Sequence, residues 1–211
     1  MGQVNSVLDF WFPHFTCLAC QAEIPSAHNV YFCAACLAKL PAAPVTTTHY
    51  AAFGYAEPIR SLLLNLKHGH NLLVARALAP YLAAVYLKFV PPADHIIVPV
   101  PLHQGRLRER GYNQSAVLAH ELATYLHLPV LENVLVRPKK TVMQKHLTTT
   151  QRASNVKDAF AVTDARQITD RDILLLDDVY TSGATTHECA RVLQQHGARS
   201  VTILTVATAG Q

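Results

Sequence analysis

The sequence predicts an α/β fold with a parallel sheet, preceded by a small module built on four cysteines. Two observations lead to this prediction. From about residue 50 onward, short apolar runs with the length of buried strands alternate with segments of helical periodicity. Four of the five cysteines fall close together before that point. We therefore expect a four-cysteine zinc-binding module over residues 1–45 and an α/β domain over residues 50–211.

Composition restricts the class of protein. Of the 211 residues, 50% are hydrophobic and 15% are charged, which suffices for a buried core and excludes a disordered chain. The net charge of +4 does not by itself imply nucleic acid. The most apolar stretch, 72–90, has only 11 uncharged residues between Arg76 and Lys88, well short of the about 20 needed to cross a bilayer. Since the first residues also lack a secretory signal, we expect a cytoplasmic protein without a membrane span.

The clustered cysteines form two Cys-x-x-Cys pairs separated by twelve residues. Each pair is typical of a knuckle whose thiolates point at one centre, and two knuckles supply the four soft ligands of a closed, structural zinc site. The predicted Zn²⁺ ligands are Cys17, Cys20, Cys33 and Cys36. Two disulfides, four free thiols and an iron–sulfur cluster are the alternatives, and the absence of a secretion signal disfavours disulfides. We expect Cys189 to be a buried core thiol.

The elements of the α/β domain follow a linker rich in proline and threonine at 40–48. Helical spacing predicts helices over 57–67, 72–89, 113–126 and 185–196. Asn113 is placed to cap the third helix and Gly197 to end the fourth. Apolar runs predict strands over 95–101, 130–136, 173–176 and 201–206. The continuous run ILLL at 173–176 is typical of a parallel strand that is covered on both faces.

The segment ILLLDDVYTSGATT, at 173–186, indicates the chemistry. A buried strand leads into two carboxylates, a hydroxyl-rich loop and a helix, so loop amides and the helix N-terminus can face an anion. This pattern fits a sugar phosphate, with Asp177 and Asp178 accepting hydrogen bonds from ribose hydroxyls and helping to place a Mg²⁺. A P-loop and a dinucleotide fingerprint are excluded because neither glycine pattern occurs. The alternative is an acid pair that caps a turn before an ordinary helix.

The same segment resembles the phosphoribosyl pyrophosphate (PRPP) signature of the type I phosphoribosyltransferases. Three further features are similar to the ComF family, a competence-associated, phosphoribosyltransferase-like group that includes the GntX-type proteins. They are VPVPLHQGRLRERGYNQS at 98–115, the 144–160 stretch with Gln151, Arg152 and Asn155, and the four-cysteine module. The resemblance runs from Cys17 to about Val206. Ser182 stands where threonine is common, which keeps the hydroxyl.

The resemblance implies a type I phosphoribosyltransferase core and a set of ligand contacts. The loop 181–185 would hold the 5-phosphate of PRPP, the acid pair would contact the ribose hydroxyls as the candidate catalytic residues, and the loop from residue 101 would hold the pyrophosphate. The implied PRPP contacts are Asp177, Asp178, Thr181, Ser182, Gly183, Ala184, Thr185, Pro101, Leu102, His103 and Arg110.

Two segments carry half of the 18 basic residues. Arg106, Arg108 and Arg110 lie in a predicted loop, and six more lie between residues 137 and 157 with no acid between them. The six are Arg137, Lys139, Lys140, Lys145, Arg152 and Lys157. These cations would neutralise departing pyrophosphate, the second segment acting as a mobile hood, or they form a solvated rim. With Tyr112 and Tyr180 nearby, the same charge would suit single-stranded DNA.

Two functions remain open at this stage. One is a Mg²⁺-dependent phosphoribosyltransferase with an unidentified acceptor, acting in DNA uptake and natural transformation. The other is a non-catalytic protein that binds PRPP and single-stranded DNA and works with DNA-uptake proteins. Pyrophosphate release on addition of candidate acceptors separates them. No histidine is assigned a catalytic role, and His187, just after the loop, is a weak candidate.

Overall fold

A computed structural model describes residues 15–24, 31–44, 46–138 and 156–209. In its described part, the cysteine-containing segment consists of a two-stranded antiparallel ribbon and one turn of helix. Strands β1 (Phe15–Thr16) and β2 (Glu23–Ile24) form the ribbon, and α1 spans Ala34–Leu37. Cys17 and Phe32 lie in the same hydrophobic core as the helices that follow. The segment therefore packs onto the α/β domain.

Four strands of the described chain form one sheet in the order β3-β8-β7-β4, and every pairing in it is parallel. The strands are β3 (Tyr50–Gly54), β4 (His95–Pro99), β7 (Asp172–Tyr180) and β8 (Ser200–Thr208). The predicted α/β class with a parallel sheet is thus confirmed. All of β4 and nearly all of β7 is buried, as the continuous apolar runs predicted.

Besides α1, five helices of more than four residues accompany this sheet in the described residues. They are α2 (Ile59–His68), α3 (Leu73–Phe89), α4 (Gln104–Arg110), α5 (Gln114–Leu126) and α6 (Ala184–Gln195). Leu174 and Leu176 of β7 share a core with α2, α3 and α5, whereas Ile173 and Leu175 face the core of α6. This alternation is the period-2 pattern of a strand covered on both faces. As predicted, the Asn113 side chain caps α5 by accepting from the Ser115 amide.

Two sequence predictions are wrong in detail. The predicted strand 130–136 is only a bridge from Val130 to Ile97, followed by β5 (Leu135–Val136), which pairs antiparallel with β6 (Ala161–Val162) outside the main sheet. A bend at 132–134 separates the two pieces. The predicted loop that carries three arginines is instead helix α4. The His103 side chain caps it by accepting from the Gly105 amide, and Gly111 ends it at φ +76°.

Other predicted features shift by a few residues or extend. Strand β7 continues through both acids to Tyr180, because β8 pairs with it as far as Thr208. The predicted linker lies against the sheet: the Gly54 amide donates to the Pro41 carbonyl, and Ala42 bridges to Phe53. Strand β3 escaped prediction, since two of its five residues are alanines. Among the described helices, none is both long and apolar enough to cross a membrane.

Candidate functional site

A cavity of about 410 Å³ opens at the carboxyl ends of β4 and β7, the edge at which parallel α/β sheets bind ligands. Its walls come from the loops after these two strands, from α4, and from the end of α2. Every residue implied as a PRPP contact lines it except His103, which caps α4 instead. The tertiary structure therefore gathers the acid pair, the hydroxyl-rich loop and the segment after β4 around one space.

The acid pair lies at the base of this cavity, within the last residues of β7. Asp177 and Asp178 are only 8% and 5% exposed. The Ser115 hydroxyl and the Asp178 amide each donate to Asp177 Oδ1 at 2.9 Å. Burial and the neighbouring charge of Asp178 nevertheless raise the pKa of Asp177 to about 7. Near neutral pH this carboxyl is poised between its two charge states.

Lys67, at the end of α2, forms an ion pair with Asp178 Oδ2 inside the cavity. Burial by itself would lower the pKa of the Lys67 ammonium, but the carboxylates of Asp178 and Asp177 outweigh it and raise that pKa. On its other oxygen, Asp178 accepts a longer bond of 3.4 Å from Gln114. Sequence reasoning missed Lys67, because nothing in its local pattern distinguishes it from a solvent-exposed helical lysine.

The segment RGYNQS, at 110–115, connects α4 to α5, and its side chains also contact α2 and the residue after β4. Arg110 donates to Gln114 at 2.9 Å, Asn113 donates from its side chain to the Val100 carbonyl at 3.0 Å, and Tyr112 donates to the carbonyl of Leu66. Its last two residues are Gln114 and Ser115, which reach the acid pair. The sequence singled out this string as family-like without indicating these contacts.

The loop after β7 has the geometry of an anion site. Residues 181–183 bend tightly, Gly183 adopts φ +73°, and α6 starts at the next residue. A helix N-terminus of this length presents amide donors and positive potential. Beneath the loop, the ring of Tyr180 stacks on His49 with ring centroids 3.6 Å apart, and its hydroxyl lies 3.3 Å from His187 Nε2. His49 was not predicted, because it precedes β3 and meets Tyr180 only through the sheet.

Three guanidinium groups line the same cavity, from Arg106, Arg110 and Arg137. Burial and the charge of Arg106 lower the pKa of both Arg110 and Arg137, yet arginine keeps its charge in proteins. Three guanidinium groups around one cavity favour an anionic ligand that carries several charges. Arg108 lies on the exposed side of α4, and Lys157 is also exposed. Lys139, Lys140, Lys145 and Arg152 of the predicted hood lie outside the described residues.

The four predicted cysteine ligands converge. Their sulfur atoms all lie within 4.8 Å of one another, with Cys20 Sγ 3.8 Å from Cys33 Sγ. A tetrahedron with Zn–S bonds of about 2.3 Å has edges of about 3.8 Å, so the spacing suits that ion. Although burial opposes it, hydrogen bonds from the backbone amides of Cys33, Cys20 and Ala19 lower the pKa of Cys17 to about 6. Cys189 is fully buried in the α6 core, as predicted.

Sequence comparisons with known proteins match one family model and several relatives. A family model described as phosphoribosyl transferase domain matches residues 112–211. Competence protein F of Haemophilus influenzae is 32% identical over 160 residues, which cover 74% of this chain and 70% of that protein. DNA utilization protein YhgH of Escherichia coli K12 is 31% identical over 188 residues, covering 87% and 80%. Competence protein ComFC of Bacillus subtilis is 29% identical over 157 residues, covering 74% and 62%.

Among solved structures, the glutamine PRPP amidotransferase of Bacillus subtilis has a TM-score of 0.42 and 16% identity, covering 62% of this chain and 25% of that one. A hypoxanthine phosphoribosyltransferase of Staphylococcus aureus has a TM-score of 0.40 and 16% identity, covering 62% and 61%. The family model begins at Tyr112 and includes the acid pair and the loop. The four clustered cysteines, Lys67 and α4 all precede it.

Proposed function

The chain belongs to the ComF family of phosphoribosyltransferase-like proteins, and from this premise we propose that its cavity binds PRPP together with Mg²⁺. One observation carries the proposal: a buried acid pair, a tight loop at a helix N-terminus and three arginines line a single cavity. PRPP combines two vicinal hydroxyls, a phosphate monoester and a pyrophosphate. Each of these groups meets complementary chemistry on one wall.

Each wall then has a defined task. The loop 181–185 holds the 5-phosphate through its amides and hydroxyls. Asp177 and Asp178 accept hydrogen bonds from the ribose hydroxyls. The guanidinium groups of Arg106, Arg110 and Arg137 neutralise the pyrophosphate, for which planar bidentate donors are well suited.

The charge balance of the acid pair suits a cation that arrives with the ligand. Among the described residues, one ammonium, that of Lys67, forms an ion pair with one of the two buried carboxylates, that of Asp178. The single ammonium does not balance the two carboxylates of the acid pair, and carboxylate oxygens are preferred by Mg²⁺. Asp177 and Asp178 would help to hold the ion, which would offset negative charge on the pyrophosphate leaving group.

Transfer from such a complex would form a bond from ribose C1 to the acceptor and break the bond from C1 to the pyrophosphate oxygen. The acceptor loses a proton and pyrophosphate leaves with the electron pair of the broken bond. The contribution of this chain is to position the reactants and to stabilise charge, through the arginines, the loop and the acid pair. A PRPP sensor without transfer would use the same contacts, and pyrophosphate release on addition of candidate acceptors distinguishes the two.

Calorimetry with Mg–PRPP tests the binding site. Replacing both acids, Asp177→Asn with Asp178→Asn, should weaken binding by about 2–4 kcal/mol, because charged acceptors for hydroxyls disappear. Asp170→Asn is a matched control, since this exposed carboxylate lies outside the cavity and its φ of +55° is also accessible to asparagine. Unchanged affinity in the double variant would exclude this cavity as the PRPP site.

For the biological role, we propose DNA uptake or DNA utilisation, which the names of the relatives support. A direct contribution would be sequence-tolerant binding of single-stranded DNA. The exposed guanidinium of Arg108, next to the cavity arginines on α4, favours it. The sequence also predicts Lys139, Lys140 and Lys145 as DNA contacts, and these residues lie outside the described part of the chain.

We also propose that the four cysteines hold one structural Zn²⁺. Four sulfur ligands fill a tetrahedral ion and leave no open position, so the metal would organise this short segment and take no part in transfer. The convergence of the four sulfur atoms within 4.8 Å of one another supports this assignment.

A further inference from the structure

Lys67 brings a charge into the cavity from outside the part of the chain that matches the phosphoribosyl transferase model. Its side chain is 21% exposed and that of its partner Asp178 is 6% exposed. An ammonium so placed loses much of its hydration and must be compensated by the carboxylate. A solvent-exposed lysine at the end of a helix keeps its hydration and needs no such carboxylate partner.

The position of the ammonium is fixed by the packing of α2. Ile59, Leu62, Leu63 and Leu66 of this helix are at most 1% exposed and lie in the larger hydrophobic core. The hydroxyl of Tyr112 donates to the backbone carbonyl of Leu66, immediately before Lys67. The helix end is therefore held from two directions, and Lys67 reaches Asp178 from a rigid element.

We propose that Lys67 is a positioning residue of the PRPP site, which holds the Asp178 carboxylate in one orientation so that it accepts hydrogen bonds from the ribose hydroxyls. The inference rests on the proposed binding of PRPP. The ion pair holds Oδ2, and the 3.4 Å contact from Gln114 is made to Oδ1. Held at both oxygens, the carboxylate cannot rotate freely, and its orientation is set before ligand binds. Preorganisation of this kind strengthens binding because less freedom is lost in the complex.

The charges around Asp178 explain why a cation is needed at this point. The groups that face it are Lys67 on α2, Asp177 on β7 and Arg110 on α4. Arg110 directs a donor to Gln114, so the ammonium of Lys67 is the closest compensating charge among the described residues. Without it, two buried carboxylates would stand side by side and repel each other.

Calorimetry with two ligands tests the proposal. Ribose 5-phosphate has the ribose hydroxyls, and inorganic phosphate lacks them. Lys67→Met keeps the aliphatic stem and removes the charge. It should lower the affinity for ribose 5-phosphate about 10- to 100-fold. Inorganic phosphate, held by the loop 181–185, should bind as in wild type. Lys67→Arg should recover most of the loss because the charge returns. Equal losses for both ligands, or no recovery with arginine, would overturn the positioning role.

A double-mutant cycle with Asp178→Asn separates positioning from direct ligand contact. If Lys67 acts through Asp178, adding Lys67→Met to Asp178→Asn causes no further loss of ribose 5-phosphate or Mg–PRPP affinity. A further loss for Mg–PRPP alone would instead show a direct contact with the pyrophosphate and contradict the proposal. A wild-type chain that binds neither sugar ligand would refute the proposed function itself. If wild type binds these ligands and Lys67→Met binds them equally well, only this inference is refuted.

Thermal unfolding of each variant shows whether it is folded. If Lys67→Met does not fold, Tyr112→Phe provides the second test, because it removes the hydroxyl that holds the end of α2 without leaving a buried charge. It should lower the affinity for ribose 5-phosphate by a smaller factor than expected for Lys67→Met and leave the affinity for inorganic phosphate unchanged. No selective loss in a folded Tyr112→Phe protein would overturn the proposal.

Discussion

The hydroxyl of Tyr180 occupies the space in which a side chain of Gly183 would begin. A Cβ built on Gly183 lies 2.2 Å from this oxygen and 2.6 Å from Tyr180 Cζ. The tyrosine ring cannot easily withdraw, since it stacks on His49 with an interplanar angle of 8°. The tight loop after β7 and the aromatic stack beneath it therefore depend on each other.

Gly183→Ala should disrupt the phosphate loop. The backbone at φ +73° is unfavourable for alanine by about 1 kcal/mol, and the steric overlap with Tyr180 adds a displacement of the loop. We expect at least a ~10-fold loss of affinity for inorganic phosphate and a lower midpoint of thermal unfolding. Calorimetry and a thermal scan measure the two effects.

Gly111→Ala is the matched control for this prediction. Gly111 has nearly the same backbone angle, φ +76°, but a Cβ there meets nothing within 4 Å. It should therefore carry the backbone cost alone and keep phosphate affinity close to that of wild type. Similar phosphate binding in both alanine variants would mean that the overlap with Tyr180 is unimportant.

The acid pair predicts a pH dependence of stability in the ligand-free protein. Burial beside Asp178 raises the pKa of Asp177 to about 7, from an ordinary value of about 3.9. The folded protein holds this proton more tightly than the unfolded chain, so the contribution of Asp177 to the free energy of unfolding falls as pH rises between these values. Asp177→Asn removes the titration and should gain stability over wild type across this window.

Urea unfolding at several pH values measures the difference between the two proteins. The relative gain of Asp177→Asn is at most about 1.4 kcal/mol per pH unit and is complete above about pH 7. Asp170→Asn, at an exposed position, controls for the loss of one carboxylate. Parallel stability curves for wild type and Asp177→Asn would show that the carboxyl titrates alike in the folded and unfolded states.

Metal analysis tests the cysteine site. Purified protein should contain about one zinc per chain, and Cys20→Ser should lower both the zinc content and the resistance of the N-terminal segment to proteolysis. Cys189→Ala is the control, because this thiol lies in the α6 core. It should lose stability through a small cavity but keep its zinc. Less than ~0.2 zinc per chain in a folded wild type would refute the site.

Salt-dependent binding of a labelled oligonucleotide tests the proposed DNA path. Each phosphate contact with single-stranded DNA contributes about −0.7 to the slope of log affinity against log salt. Arg108→Ala should reduce the magnitude of the slope by about 0.7 and leave Mg–PRPP binding unchanged, because Arg108 is exposed and is not among the cavity residues. Arg106→Ala should weaken both ligands, since Arg106 lines the cavity. If no DNA binds even at low salt, the DNA path is refuted, and these basic residues serve pyrophosphate or solvent only.

The features that sequence alone determined are those whose chemistry lies in one continuous segment. The buried strand, acid pair, hydroxyl-rich loop and helix follow one another at 173–186, so their order predicts the local geometry. The same holds for the cysteine pairs and for Asn113, whose capping contact is only two residues away. Short-range backbone geometry fixes these relationships whatever the rest of the fold does.

The tertiary structure decided which distant side chains complete the site. Gln114 and Ser115 lie more than 60 positions from the acids they contact. Lys67 and His49 both precede residue 112, where the matched phosphoribosyl transferase domain begins. The phase of α4 decides that Arg106 and Arg110 enter the cavity while Arg108 stays outside. Sequence shows that these charges exist. The direction in which these charged side chains point depends on how the helices pack against the sheet. That packing is a property of the whole core and not of any one segment.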